Sequence, residues 1–213
     1  MPHSALDHTS ALRRLRKLVP HRPLSIDEAL HIAELQASHL LMMHHVDAPP
    51  ISEEVILSLP KIRLEHVTSP LSGACYWDGR EWVIEVNQQQ RFTRQRFVTA
   101  HEFKHIIDHG YTDYLYPPIA CDHQLDHAEY VADYFAGCLL VPRVLLKRAY
   151  MQGLQSVHDL ADLFQVSERS ITIRLNQIGI VDATPRCMGR HHAVRSTQLA
   201  AAPAGSPGDQ RWP

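Results

Sequence analysis

The sequence of 213 residues has few cysteines and no long hydrophobic run. Its four cysteines are far apart and form no Cys-x-x-Cys pair, which argues against a disulfide framework and against a zinc ribbon. No segment approaches the roughly 18 apolar residues of a transmembrane helix, and residues 1–20 lack the hydrophobic centre of a signal peptide. We therefore expect a cytoplasmic protein with reduced thiols and no membrane association.

The chain also lacks an excess of charge of either sign. It has 21 basic and 23 acidic residues, a formal net charge of -2, which gives no overall electrostatic reason to bind nucleic acid. The basic stretch Arg13–Lys17 is a local candidate for such binding, as a short flexible arm with weak, salt-sensitive affinity. Histidine is abundant, with 16 residues, which favours a metal site but also makes accidental metal motifs more frequent.

The first 60 residues are expected to be helical. Ser25 and Glu28 form a capping-box pattern, and apolar residues then recur at helical spacing over about 26–46. Because Pro49 and Pro50 follow, this helix is predicted to end there.

Residues 61–153 are expected to form the core of an α+β protein. Alternating apolar residues predict three strands in one small antiparallel sheet, with a hairpin turn at Asp78-Gly79. Two helices are predicted next, over about 93–109 and 126–140, each apolar enough to be buried.

Two short helices are expected over residues 154–182, at helix-turn-helix spacing. Ser156 and Ser167 occupy their N-cap positions. Residues 183–213 are rich in Ala, Pro, Gly and Ser, and we expect them to be a disordered tail.

The main chemical motif is His-Glu-x-x-His at residues 101–105. On a helix, His101 and His105 lie on one face and can bind one metal ion, while Glu102 can hold and deprotonate a water. Roughly 0.06 accidental matches are expected in a chain of this composition. The alternative is a histidine-rich exposed helix.

A second motif places two carboxylates four residues apart. Glu129 and Asp133 fall on the predicted buried helix, where an unpaired carboxylate costs several kcal/mol. Glu129 as a third metal ligand and Asp133 as the hydrogen-bond partner of a ligand histidine explain such burial. The alternative is a capping box of Asp126 with Glu129, and an exposed Asp133.

The residues around both motifs resemble the ImmA/IrrE family of metallopeptidases. That family has a phenylalanine-rich lead into HExxH, and then a Glu-x-x-Ala-(Asn/Asp)-x-Phe-Ala helix ending in Leu-Leu-x-Pro. The corresponding runs here are RFTRQRFVTAHEFKH at 91–105 and EYVADYFAGCLLVP at 129–142. The resemblance extends over about 61–182 and includes a hairpin around Leu71–Gly73 and Ile84–Asn87.

This resemblance implies a zincin-like, gluzincin-type zinc endopeptidase. His101, His105 and Glu129 match the family's Zn²⁺ ligands, and Glu102 matches its catalytic base. The implied substrate is a partner repressor of the helix-turn-helix XRE type, whose cleavage switches on a stress-response or mobile-element programme. Lys104 stands where the family usually has glycine; because it is neither ligand nor base, we expect it to affect access to the cleft.

The alternative function is a DNA-binding or protein-binding transcriptional regulator with a metallopeptidase-like domain. Residues 154–182 contain two arginines, Arg169 and Arg174, against four acidic residues, so direct DNA binding by this segment is disfavoured. Packing on the core or binding a protein partner is the expected role. The arginines at 91, 94 and 96 are expected to form a solvated face, with steering of an acidic substrate segment as the alternative.

Overall fold

Helices precede and follow a single block of three strands. We describe a computed structural model over residues 9–116 and 124–180, all within one compact unit of the chain. The helices there are α1 (Thr9–Arg16), α2 (Ile26–Met43), α3 (Glu54–Leu57), α4 (Phe92–Asp108), α5 (Thr112–Leu115), α6 (Gln124–Leu140), α7 (Arg143–Met151), α8 (Val157–Phe164) and α9 (Glu168–Gln177). The strands are β1 (Ile62–Val67), β2 (Gly73–Trp77) and β3 (Trp82–Asn87). The tail expected over 183–213 lies outside the described residues.

Helix α2 begins at the predicted capping box. Ser25 Oγ accepts a hydrogen bond from the backbone N–H of Glu28 at 3.3 Å, and Glu28 Oε2 accepts one from the backbone N–H of Ser25 at 3.0 Å. These two bonds satisfy backbone donors that the first turn of a helix leaves free. None of the described helices combines the length and hydropathy that a membrane crossing requires.

The sheet is mixed, so the predicted antiparallel sheet is wrong in one of its two pairings. Strands β2 and β3 form the expected antiparallel hairpin, with Gly79 at a φ of +100° in the turn. Strand β1 pairs in parallel with the other edge of β3, which gives the order β1-β3-β2. The reason is the burial of Val83, Ile84 and Val86, because a strand that is apolar on both faces belongs in the centre of a sheet.

Helix α4 packs between the sheet and α6. The rings of Phe103 and Phe135 join the two helices in the core, with centroids 6.2 Å apart. On the sheet side, Gly73 of β2 allows a close approach, because a Cβ there would lie 2.2 Å from Val98 Cγ1. The sheet and α6 therefore hold α4 on opposite sides and fix its orientation.

Helix α1 is packed on the protein, so the expectation of a free basic arm is wrong for its residues. Leu15 is fully buried, and the Arg16 guanidinium donates hydrogen bonds to the carbonyls of Ile106 at 2.7 Å and Ile107 at 3.1 Å. Carbonyls in the last turn of a helix lack intrahelical partners, and a cation there is favourable. Arg16 therefore caps the C-terminal end of α4.

Lys104 faces the core and not the cleft, which corrects the role expected for it. Its ammonium group is fully buried, pairs with Asp108 and donates a hydrogen bond to Gln36 Oε1 at 2.9 Å. The hydroxyl of Tyr116 donates a second hydrogen bond to Asp108 at 2.5 Å. Burial lowers the pKa of Lys104, and the charge of Asp108 opposes that shift. Lys104 is buried on this side of α4 because Gln36 of α2 contacts it there.

Arg96 is also buried, which corrects the solvated face predicted for it. Its guanidinium donates hydrogen bonds to the carbonyls of Phe164 at 3.0 Å and Gln165 at 2.5 Å, and to the carbonyl of Ile51. Three carbonyls from two distant segments thus share one cation. Arg96 thereby attaches α8 and the segment before α3 to α4.

Candidate metal centre

Two helices supply the residues of the candidate centre. His101 and His105 are one turn apart on α4, and Glu129 lies on α6, which packs beside it. Their potential ligand atoms all lie within 4.8 Å of one another. The structure therefore brings together the three residues that the sequence predicted as metal ligands.

The distances between these atoms are close to those of a tetrahedral metal site. The Nε2 atoms of His101 and His105 are 3.1 Å apart, and oxygens of Glu129 lie 3.1 Å from the first and 3.3 Å from the second. With metal-ligand bonds of about 2.0–2.2 Å, neighbouring ligand atoms of a tetrahedral zinc site are about 3.3–3.6 Å apart. Two of the three distances are slightly below that range and one is within it, so the three side chains are placed to share one ion and to leave a fourth position open.

Asp133 fixes the orientation of His101. Its Oδ1 lies 2.9 Å from His101 Nδ1, so the Nδ1–H donates to the carboxylate and Nε2 keeps its lone pair. Burial lowers the pKa of His101, but the hydrogen bond and charge of Asp133, with the charges of Glu102 and Glu129, raise it above its ordinary value. A cluster of lone pairs and negative charge such as this one favours a cation at its centre.

Both carboxylates on α6 are more exposed than the sequence suggested. The side chains of Glu129 and Asp133 are 62% and 61% exposed, whereas burial was expected for this helix. The buried stripe of α6 contains Val131, Ala132 and Phe135, and the two acids lie beside it. The centre is therefore open to solvent on the α6 side, and burial does not explain the presence of these acids.

Glu102 lies next to the three potential ligands and outside their group. It faces β2, where its Oε1 would be 3.3 Å from a Cβ placed on Gly73. Cys75 of β2 is a neighbour of Glu102 that no motif in the sequence indicates. Burial raises the pKa of the Cys75 thiol, and the charge of Glu102 and a hydrogen bond with it raise that pKa further.

Comparison with known proteins identifies a family and a similar fold. The family model Peptidase_M78, described as an IrrE N-terminal-like domain, matches residues 61–176. A solved Mycobacterium tuberculosis transcriptional regulator superposes with a TM-score of 0.58 at 15% sequence identity, over 84% of this chain and 54% of that chain. This chain thus corresponds to about half the length of that protein, and the likeness shows a shared fold. No curated protein sequence matches this one.

Proposed function

Because the chain belongs to the ImmA/IrrE family through its Peptidase_M78 domain, we propose that it is a zinc-dependent endopeptidase. The observation that carries this proposal is the convergence of His101, His105 and Glu129 beside Glu102. Two imidazoles and a carboxylate are the protein ligands of one class of catalytic zinc site, which keeps a fourth position open for water or substrate.

The proposed mechanism assigns the acid–base steps to Glu102. Zinc, when bound, polarises the peptide carbonyl and lowers the pKa of water toward about 7. Glu102 takes a proton from the attacking water and then returns it to the leaving amine. Asp133 accepts the Nδ1–H of His101 and so leaves Nε2 available to hold a metal ion.

The sheet offers a place for an extended peptide. Strand β2 is at the edge of the sheet, and its side opposite β3 pairs with no strand in the described parts of the chain. It also lies against α4 at Glu102. A peptide that adds to such an edge forms main-chain hydrogen bonds, which suits a protease that recognises an extended segment.

The proposed substrate is the XRE-type repressor that the family resemblance implies. A segment of that repressor that can lie extended across the cleft is the proposed cleavage site, and its loss would start a stress-response or mobile-element programme in the cytoplasm. Incubation of the zinc-loaded protein with the repressor encoded beside it, followed by mass spectrometry of the fragments, tests this proposal.

We expect one zinc ion per molecule. We expect His101→Ala to lose this ion, because only two of the three protein ligands remain in that variant. Metal analysis of full-length protein purified without chelator measures this. His31→Ala is the matched control, since His31 is exposed on α2, far in sequence from the centre, and that variant keeps its zinc. Absence of stoichiometric zinc from the unsubstituted protein, even after addition of zinc, would remove the metal assignment.

The alternative function is a DNA-binding regulator, suggested by helices α8 and α9 and by the name of the structurally similar protein. Two observations disfavour it. Residues 154–182 carry two arginines against four acids, and Arg174 is buried, with its Nε donating to the carbonyl of Val141 at 3.3 Å. A buried guanidinium cannot contact phosphates or base edges.

We therefore expect selection from random duplex DNA to return no sequence motif for the full-length protein. Arg169 is exposed, so Arg169→Ala is the variant to compare in the same selection. A reproducible motif that Arg169→Ala abolishes, with binding that weakens steeply with salt, would favour the regulator function instead.

A further inference from the structure

A groove of about 380 Å³ runs between α4, α6 and α9. Residues from all three helices line it. They include Arg94, Phe97, Tyr130, Asp133, Arg169 and Ile173. Helix α9 thus forms one wall of a groove whose other walls come from the two helices of the candidate metal centre.

The groove is continuous with that centre along both helices. Phe97 is four residues before His101 and therefore lies on the same face of α4. Asp133 is four residues after Glu129 on α6 and lines the groove while it hydrogen-bonds His101. A chain lying in the groove would therefore reach the centre without crossing a helix.

The charge of the groove is positive, although the whole chain has a net charge of -2. Its charged lining consists of Arg94, Arg169 and Arg174 against Asp133; without Arg174, which is buried near Glu34, two positive charges remain against one negative. Arg94 and Arg169 are exposed, and neither has an acidic ion-pair partner among the described residues. The buried Arg174 forms the floor of the groove. Its Nη2 makes no hydrogen bond with the described residues, and the nearest carboxylate oxygen, which belongs to Glu34, is 4.0 Å from it.

The other walls of the groove are apolar or aromatic. The Arg94 guanidinium lies over the Phe97 ring, 5.5 Å from the ring centroid. The Arg174 guanidinium lies 5.6 Å from the centroid of the Tyr134 ring. Tyr130 and Ile173 are among the exposed large hydrophobic residues of the protein. Exposed apolar side chains mixed with unpaired arginines are typical of protein-binding surfaces, where aromatic residues and arginine are enriched.

We propose that this groove binds an acidic segment of the substrate protein, in which carboxylates face Arg94 and Arg169 and intervening apolar side chains face Phe97 and Ile173. The proposal rests on the proposed endopeptidase function and adds the class of sequence that the enzyme selects. Helix α9 then contributes to specificity through Arg169, while the residues of α4 and α6 contribute to both binding and chemistry.

An acidic peptide fits this groove better than a nucleic acid does. A phosphate backbone carries negative charge at every nucleotide and so could not avoid Asp133, which is part of the lining, whereas a peptide with alternating carboxylates can place an apolar side chain there. Successive side chains of an extended peptide point to opposite sides. A peptide that alternates acidic and apolar residues can therefore direct its apolar side chains to the apolar walls and its carboxylates to the arginines. Nucleic acid is therefore the competing ligand in the test.

The test uses full-length protein carrying Glu102→Gln, so that the probe is not cut. A fluorescein-labelled peptide of alternating glutamate and leucine is titrated by fluorescence anisotropy, and a peptide of alternating lysine and leucine is the matched probe. We expect only the glutamate peptide to bind, with an affinity that falls as salt rises. Arg94→Glu and Arg169→Glu each remove an attraction and add a repulsion, and should each weaken binding about 2- to 30-fold. Arg143 is an exposed arginine on α7, and Arg143→Glu should leave binding unchanged.

Three outcomes would overturn the proposal: equal binding of the two peptides, unchanged affinity in both groove variants, or tighter binding of random duplex DNA than of the glutamate peptide. The protein with Glu102 intact is then tested for cleavage of a mixed peptide library. Loss of a preference for acidic residues in Arg169→Glu, with neutral peptides still cut, supports the proposal further. Groove binding without cleavage of any peptide contradicts the endopeptidase function and leaves the acidic-segment site in place.

Discussion

Glu102→Gln is expected to keep both zinc and fold while slowing cleavage of the repressor by a factor of at least about 10². Glu102 lies beside the three potential ligands without belonging to their group, so its loss leaves the metal bound. A glutamine has nearly the same shape but cannot accept the proton of the attacking water. The measurement is the rate of appearance of repressor fragments, with zinc content and the unfolding transition determined on the same samples.

Three further variants separate the possible defects. Glu129→Ala should weaken zinc binding itself, and Asp133→Asn should lower affinity or activity by about 10- to 100-fold, because it perturbs the orientation of His101. Glu54→Gln is the matched control, since Glu54 is exposed on α3. Full cleavage by Glu102→Gln would eliminate the proposed base. Absence of cleavage by the unsubstituted zinc-loaded protein would favour the regulator function.

Lys104→Ala is expected to lower the free energy of unfolding by about 3–5 kcal/mol. The substitution leaves the Asp108 carboxylate buried without its cation and leaves Gln36 Oε1 without its donor. Removal of one partner from a buried ion pair is costly, because the remaining charge has neither water nor a counter-charge. Urea unfolding followed by circular dichroism, at equal zinc loading, measures the difference.

Lys104→Met distinguishes the charge from the packing. It keeps most of the aliphatic volume, so a similar loss of stability assigns the effect to the unpaired Asp108 carboxylate. Lys17→Ala is the control, because Lys17 is exposed, and a surface substitution should change stability by no more than about 0.5 kcal/mol. If both Lys104 variants also stayed within that range, the buried pair would contribute nothing to the stability of α4.

The sequence alone determined the long helices α2, α4 and α6 and the residues of the candidate centre. Four-residue spacing places His101 and His105 on one face of α4 because a helix repeats every 3.6 residues, and the same rule groups Glu129 with Asp133 on α6. The cap of α2 at Ser25 was also readable, since its hydrogen bonds join residues three apart in the chain. These features depend on local geometry, and local geometry is encoded within a few neighbouring residues.

Only the tertiary structure decided which partners meet across the chain. Strand order could not be inferred, because alternation shows which faces are buried and not which strand lies in the middle. Lys104 was expected to affect access to the cleft, because it is neither ligand nor base, and Arg96 was expected on a solvated face of clustered arginines. Their burial depends on Asp108 and Gln36 for the first and on distant carbonyls, such as those of Ile51 and Phe164, for the second. A buried charge is stable only where the fold supplies partners, and partners distant in sequence are brought together by packing and not by periodicity.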